Sequence, residues 1–267
     1  MQDIAIVLAV NAGVILALFV LAWAACVAMR DCTPVDSLWG AGMGVVAIST
    51  FLQTGGGTER RLVLTVICVA WALRLAGYLL WRWRQHGADR RYTRMMADAK
   101  EQKGWDFATA SLIYVFSLQA LLQFIVCLPV QLGQSSGPAS LGPLAWAGAA
   151  LAVTGILFET IGDAQLVRFK SNPDNAGKVL DTGLWRYTRH PNYFGDACTW
   201  WGLYLIAADT GLLGALSIVG PALLTFLLTR WSGVPTTEGP MRRKKPDYAA
   251  YVARTSGFIP MPPKRVS

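Results

Sequence analysis

Ionisable and amide side chains recur at helical spacing inside runs that are otherwise apolar. Glu159 and Asp163 stand four residues apart, with Lys170 about two turns further on. Asn192, Asp196 and Trp200 repeat the spacing of four, and so do Arg74, Tyr78 and Arg82. Residues i and i+4 of an α-helix share a face, so each set is a polar stripe. Charge inside a membrane helix is costly and turns towards partners or a wet cavity. Two readings follow. One is an ion-pair network that only fixes helices against each other. The other is a cavity open at one membrane face, where Arg and Lys meet phosphates while Asn, Asp and Glu meet hydroxyl and amide groups. Guanidinium forks match phosphate oxygens, and a dinucleotide offers all of these groups.

The elements that carry the stripes are membrane-like. The 267-residue chain is 54% hydrophobic and 15% charged, where soluble domains carry about 25% charged residues. A spanning helix needs about 20 mostly apolar residues. Such runs fall at residues 4–29, 37–53, 62–83, 107–131, 141–161, 193–208 and 212–231. The sequence thus predicts an all-α, polytopic integral membrane protein with seven transmembrane helices. The run at 193–208 is short and carries Asp196, which makes it the weakest of the seven. No basic residue precedes the first run, so it is expected to remain as a helix rather than act as a cleaved signal.

Basic residues collect in the stretches 82–103 and 168–189 and in the tail, whereas 132–140 and 209–211 have none. The positive-inside rule puts the N-terminus outside and the C-terminus in the cytoplasm, as an odd number of spans requires. Arg60 and Arg61, beside Glu59, run against that bias. The net charge of +8 sits in these short loops, which suits a membrane surface and an anionic ligand better than nucleic acid. Residues 1–267 read as a single transmembrane domain, with 1–106 as a substrate-groove half and 107–267 as a cofactor-binding half. Gly55-Gly56-Gly57 and residues 133–138 read as outer turns, and the polar stretch 172–183 as an ordered cytoplasmic loop.

Several chemistries are excluded. The five cysteines, Cys26, Cys32, Cys68, Cys127 and Cys198, form no C-x-x-C pair, and His86 and His190 are the only histidines, so no metal centre is expected. Gly40-Ala41-Gly42-Met43-Gly44 lies inside an apolar helix rather than between a strand and a helix. It reads as close helix packing through small residues and not as a dinucleotide fingerprint.

The stretch Gly183-Leu184-Trp185-Arg186-Tyr187-Thr188-Arg189-His190-Pro191-Asn192-Tyr193-Phe194-Gly195-Asp196 resembles the signature of the steroid 5-alpha-reductase C-terminal domain. The ending Pro246-Asp247-Tyr248, Tyr251 and Phe258-Ile259-Pro260 is similar to that family's tail, and Pro34-Val35-Asp36-Ser37-Leu38-Trp39-Gly40 resembles a bacterial branch of it. The resemblance implies a reductase using NADPH. Asn192 and Asp196 would hold the nicotinamide end, and the signature's Tyr187, His190 and Tyr193 would also belong to the cofactor site. Glu159 and Asp163 would contact the adenosine and ribose groups and Lys170 a phosphate, while Lys178 falls on a cofactor-site basic residue of the family's cytoplasmic loop. Arg74, Arg82 and Arg84 match basic positions of the third helix and its exit, and Trp200 a ring one turn beyond the acid. Asp36 falls near the family's catalytic glutamate. The family's substrate-binding tyrosine falls on Trp71, with Tyr78 as a stand-in. The tail lacks the family's histidine, and Glu238, Arg242, Arg243 and Tyr248 would close the pocket instead.

The expected reaction adds hydride to the carbon beta to a carbonyl in an enone lipid, such as a 3-oxo-delta-4 steroid. Asp36, protonated in an apolar setting or acting through a neighbouring hydroxyl, would stabilise the carbonyl oxygen. The substrate would enter from the bilayer of a bacterial inner membrane, with the cofactor site facing the cytoplasm. The same fold group includes isoprenylcysteine carboxyl methyltransferases, which share the Arg-His-Pro-x-Tyr element, so a methyltransferase using S-adenosylmethionine is the alternative. A non-enzymatic lipid-binding membrane protein is the third reading, and it needs no stripe of Asn192, Asp196 and Trp200.

Overall fold

The computed structural model describes residues 4–55, 58–135 and 140–264. Arg265 and parts of the two expected glycine turns, at 56–57 and 136–138, lie outside the described residues. Ten helical elements follow one another: α1 Ile4–Met29, α2 Pro34–Gln53, α3 Thr58–His86, α4 Arg90–Lys103 and α5 Phe107–Val126. They continue with α6 Leu128–Ser135, α7 Pro143–Ser171, α8 Pro191–Ala208, α9 Leu212–Lys244 and α10 Tyr248–Arg254. Among the described residues there is no strand, only an isolated parallel bridge between Thr188 and Ser256. Six helices, α1, α2, α3, α5, α7 and α9, are long and apolar enough to cross a membrane. The run at 193–208 forms a helix, α8, but falls outside this set, because Pro191, Asn192 and Asp196 crowd its first turns.

The chain divides into two compact units: Met1–Trp146 with Leu203–Gly220, and Ala147–Gly202 with Pro221–Ser267. The chain thus leaves the first unit after Trp146 and returns to it at Leu203–Gly220 before completing the second.

In the first unit α2 packs on α3 through its glycines. A Cβ on Gly44 would lie 2.9 Å from the Cβ of Ala72, and one on Gly40 would lie 3.1 Å from the nitrogen of Ala76. This is the close packing expected of the Gly40–Gly44 run. Several buried polar groups find partners within the unit. Asn11 donates to Thr50 at 2.8 Å and Gln131 at 3.1 Å, and accepts from Ser49 and Gln53. Arg60, 2% exposed, pairs with Asp209 at 2.7 Å and donates to the carbonyls of Ser140 and Ile206. Arg61 donates to the carbonyl of Phe51 and lies 4.5 Å over its ring. The two arginines that ran against the charge bias are therefore engaged within the unit.

In the second unit α7 and α8 touch backbone to backbone. A Cβ on Gly202 would lie 2.5 Å from both the nitrogen of Ala152 and the carbonyl of Gly148. A Cβ on Gly195 would lie 2.6 Å from the nitrogen of Glu159 and the carbonyl of Gly155. The polar stretch 172–183 is tied down by the tail, as Arg254 pairs with Asp181 and Lys245 donates to the carbonyl of Lys178. Tyr251 donates to the carbonyl of Trp185 at 2.5 Å.

Gly202→Ala is expected to lower the thermal unfolding midpoint by several degrees, because overpacking of this kind costs about 1–3 kcal/mol. Gly13→Ala, where nothing lies within 4 Å, should hold or raise the midpoint, since alanine is the better helix former. Equal midpoints for the two variants in detergent would remove the crossing from the stability of the fold.

Candidate functional site

The glycine crossing brings two of the three polar stripes together. Glu159 of α7 lies directly against Gly195 of α8, and Gly162, next to Asp163, meets Pro191 and the nitrogen of Asn192. Glu159, Asp163 and Asp196 are 3%, 4% and 8% exposed, and Trp200 is fully buried. The Oδ1 of Asn192 is buried and accepts no hydrogen bond among the described residues. The seam thus offers oxygen acceptors from both helices. Lys170 and Lys178 are exposed beyond it. The turn that leads into α8 is fixed by α7, because Gln165 accepts from the nitrogen of Leu184 and the Trp185 indole donates to the carbonyl of Gly162.

The expected pocket-closing residues of the tail form a clasp. Glu238 accepts from Arg189 Nε at 2.7 Å, and the same oxygen lies 3.1 Å from His190 Nε2. Arg242 approaches its other oxygen at 3.5 Å while staying exposed. His190 stacks in parallel on Tyr193, with centroids 5.2 Å apart. Arg189 also donates to the carbonyl of Thr255 at 2.5 Å. Tyr248 is buried, and burial together with Glu238 pushes its phenol up to about 12. Arg243 and Tyr187 are exposed. Sequence reasoning assigned no role to Arg189, although a basic residue beside His190 with Glu238 in the tail was a usable signal.

The third stripe belongs to the first unit. Arg74 lies over the ring of Tyr78 at 5.6 Å, and Tyr78 stacks on Trp81. Trp71 is fully buried in the core of this unit, and Arg84 is exposed. Arg82 turns towards Asp36, 3.7 Å away. Asp36 also pairs with Arg91 at 3.1 Å and accepts from the hydroxyl of Tyr92 at 2.5 Å. Gln119 of α5 donates to the same hydroxyl at 3.3 Å. The setting of Asp36 is therefore cationic and hydrogen-bonded rather than apolar, because α4 folds back to place Arg91 and Tyr92 over the start of α2. Burial and the neighbouring Asp36 push the Tyr92 phenol well above its ordinary range, so it keeps its proton. Tyr92 was missed because its neighbours in sequence are nearly all charged or polar.

Two carboxylates brace this cluster. Asp31 accepts from the backbone and hydroxyl of Thr33 and from the Trp83 indole at 2.8 Å. Asp89 caps α4 through the nitrogen of Arg91 at 2.8 Å. Partial burial raises both carboxyls, but these hydrogen bonds outweigh it and hold both below the ordinary carboxylate value.

The family described as "Protein of unknown function (DUF1295)" matches residues 22–255, a span that includes both clusters. The chain belongs to this family. This DUF1295 member is also similar to the uncharacterized protein C594.04c of Schizosaccharomyces pombe, 23% identical over 272 residues, covering 89% of this chain and 75% of that one. No solved structure matches it.

The depressed carboxyls give a pH prediction for this DUF1295 protein. A carboxyl lowered in the folded state stabilises fully above its unfolded value, about 4, and that contribution is lost as pH falls through the lower folded value. The unfolding midpoint should hold from pH 7 to about 5 and fall below about pH 4. Asp89→Asn, which keeps a capping side chain, should show a smaller acid-induced fall. An unchanged fall would place the acid sensitivity elsewhere.

Proposed function

We propose that this DUF1295 protein is a membrane-embedded reductase that uses NADPH to saturate the carbon–carbon double bond of an enone lipid, of the 3-oxo-delta-4 steroid kind. The observation that carries this reading is the seam at the α7–α8 crossing. It brings the buried Glu159 and Asp163 of α7 against the first turns of α8, which carry Asn192 and the buried Asp196. Such acceptors suit ribose hydroxyls, and the open Oδ1 of Asn192 suits the N–H of a carboxamide. The exposed Lys170, Lys178, Arg242 and Arg243 suit the phosphates.

When bound, the nicotinamide supplies hydride to the carbon beta to the substrate carbonyl. Negative charge then develops on the carbonyl oxygen. In this reading the Tyr92 proton, which the free protein donates to Asp36, turns to that oxygen, while Arg91 keeps its pairing with Asp36 and Gln119 its bond to the Tyr92 hydroxyl. One such donor contributes roughly 3 kcal/mol. The alpha carbon takes its proton from water. Trp71 and Tyr78 then serve packing rather than chemistry, Trp71 because it is enclosed. α8 makes the seventh crossing in this proposal. The N-terminus lies outside, and the basic loops and cofactor site face the cytoplasm of a bacterial inner membrane. The substrate enters from the bilayer between the early helices.

One observation favours the second reading, a methyltransferase using S-adenosylmethionine. The buried lining of the seam is acidic, while its cations are exposed, and a sulfonium cation suits acids. The two separate in a thermal titration, because a ligand of the native state raises its stability by RT ln(1 + [L]/Kd). NADPH should raise the midpoint more than NADH, and S-adenosylmethionine should leave it unchanged. A response to S-adenosylmethionine alone would overturn the reductase. Asp196→Ala should abolish the NADPH response. Tyr92→Phe should keep that response while enone turnover falls about a hundredfold, the lower end of the loss seen when such a donor is removed. Unchanged turnover in Tyr92→Phe would assign the carbonyl contact elsewhere.

A further inference from the structure

The second unit holds a groove that none of these roles uses. It has a volume of about 310 Å³ and is lined by Thr229, Arg230, Val234, Gly257 and Phe258. Its wall is a π-helical turn of α9, Leu227–Trp231, and its floor is the tail segment Gly257–Phe258. The floor is fixed: Phe258 packs edge-on against Phe194 at 5.9 Å, and its carbonyl accepts from Thr188 at 2.8 Å. The nitrogen of Arg189 donates to the carbonyl of Ser256 at 2.9 Å. π-turns inside α-helices frequently mark functional positions.

Arg230 is the one charged lining residue. Residues 210–229 carry no charge, so Arg230 is the first charge after a bilayer-length apolar stretch. That depth is the headgroup layer. Among the described residues no carboxylate pairs with it. The hydroxyl of Thr229 donates to the carbonyl of Thr225 at 2.7 Å, so no lining side chain other than Arg230 offers a donor. Phe226 and Trp231 flank the groove on the same helix and are about half exposed, and Ile259 and Met261 are exposed beyond its floor. Exposed aromatics at the end of an apolar helix are the interfacial anchors of membrane proteins.

A guanidinium at headgroup depth, in a small preformed groove with an apolar rim, is complementary to one kind of neighbour. We propose that this groove binds an anionic phospholipid of the surrounding bilayer. The phosphodiester meets Arg230 in a bidentate contact, and the first acyl methylenes lie on Phe226 and Trp231. The site is separate from the α7–α8 seam and does not depend on the reductase reading.

Purified protein in detergent is titrated with phosphatidylglycerol, phosphatidylcholine and inorganic phosphate. Bound lipid is followed by native mass spectrometry and the unfolding midpoint by heating. Phosphatidylglycerol should bind saturably and raise the midpoint, whereas phosphatidylcholine and phosphate should not reproduce the effect. Arg230→Ala should weaken phosphatidylglycerol at least tenfold and Arg230→Lys by less. Arg94→Ala, an exposed basic residue of α4, should change nothing. Arg230→Ala should keep any midpoint response to NADPH. Binding of phosphatidylglycerol to Arg230→Ala at wild-type strength would overturn the proposal. So would an equal effect of free phosphate, or loss of the NADPH response in Arg230→Ala, which would make the groove part of a nucleotide site. Failure of NADPH to act on the wild type bears on the reductase alone.

Discussion

Where α7 crosses α8, the backbones meet with no side chain between them, and glycine alone permits that approach. Gly195 sets α8 against the backbone of Glu159, and Gly202 sets it against Ala152. The position of every acceptor in the seam follows from this contact. Two helices separated by ordinary side chains lie about 8–10 Å apart between axes. At that distance water would screen Glu159 and Asp163 from Asn192 and Asp196. Close approach instead leaves Glu159, Asp163 and Asp196 buried, where a hydrogen bond is electrostatically stronger than in water.

The clasp of Arg189, His190 and Glu238 performs the complementary task at the mouth of the second unit. It joins the start of α8 to the last turns of α9, while Arg189 also holds the carbonyl of Thr255. A carboxylate held by a guanidinium and a further hydrogen-bonding partner is tolerated at low exposure, whereas the same carboxylate alone is costly. Glu238 is held in this way by Arg189, while Arg242 remains open to solvent. In the first unit Asp36 is surrounded in the same manner, but its bonded partner is a phenol that retains a proton. One cluster ties elements together, and the other leaves a polarised hydroxyl in place.

Much of the helical framework is legible in the residues. The first run and α1 coincide at Ile4–Met29, and the other runs lie largely within helices, because apolar runs bounded by charge have few alternatives. The spacing of four identified the stripes of α7 and α8, and the small residues of Gly40–Gly44 identified a packing face. Tertiary choices were less visible. Tyr92 gains its role from the fold of α4 over α2, which no local pattern encodes. Glu238 and His190 read as ligand contacts in the sequence, and their 3.1 Å approach to each other left no local trace there. The sixth run is a real helix whose first turns are too polar for its apolarity to stand out. The interleaving of two units is a property of long-range contacts and leaves no periodic trace. The resemblance supplied roles for residues, and membership in a family of unknown function leaves those roles to experiment.

Arg60 waits longest for its partner. It stands at the start of α3, and Asp209 lies 149 residues further along the chain. Chains emerge from the ribosome in order at about 5–20 residues per second. Five further helices are therefore synthesised while this guanidinium lacks its counter-ion. Its bonds to the carbonyls of Ser140 and Ile206 also close late. The ion pair can form only once the turn after α8 has been synthesised. A chain halted before that turn carries an uncompensated charge at an apolar helix end, the kind of signal by which incomplete membrane proteins are told from finished ones.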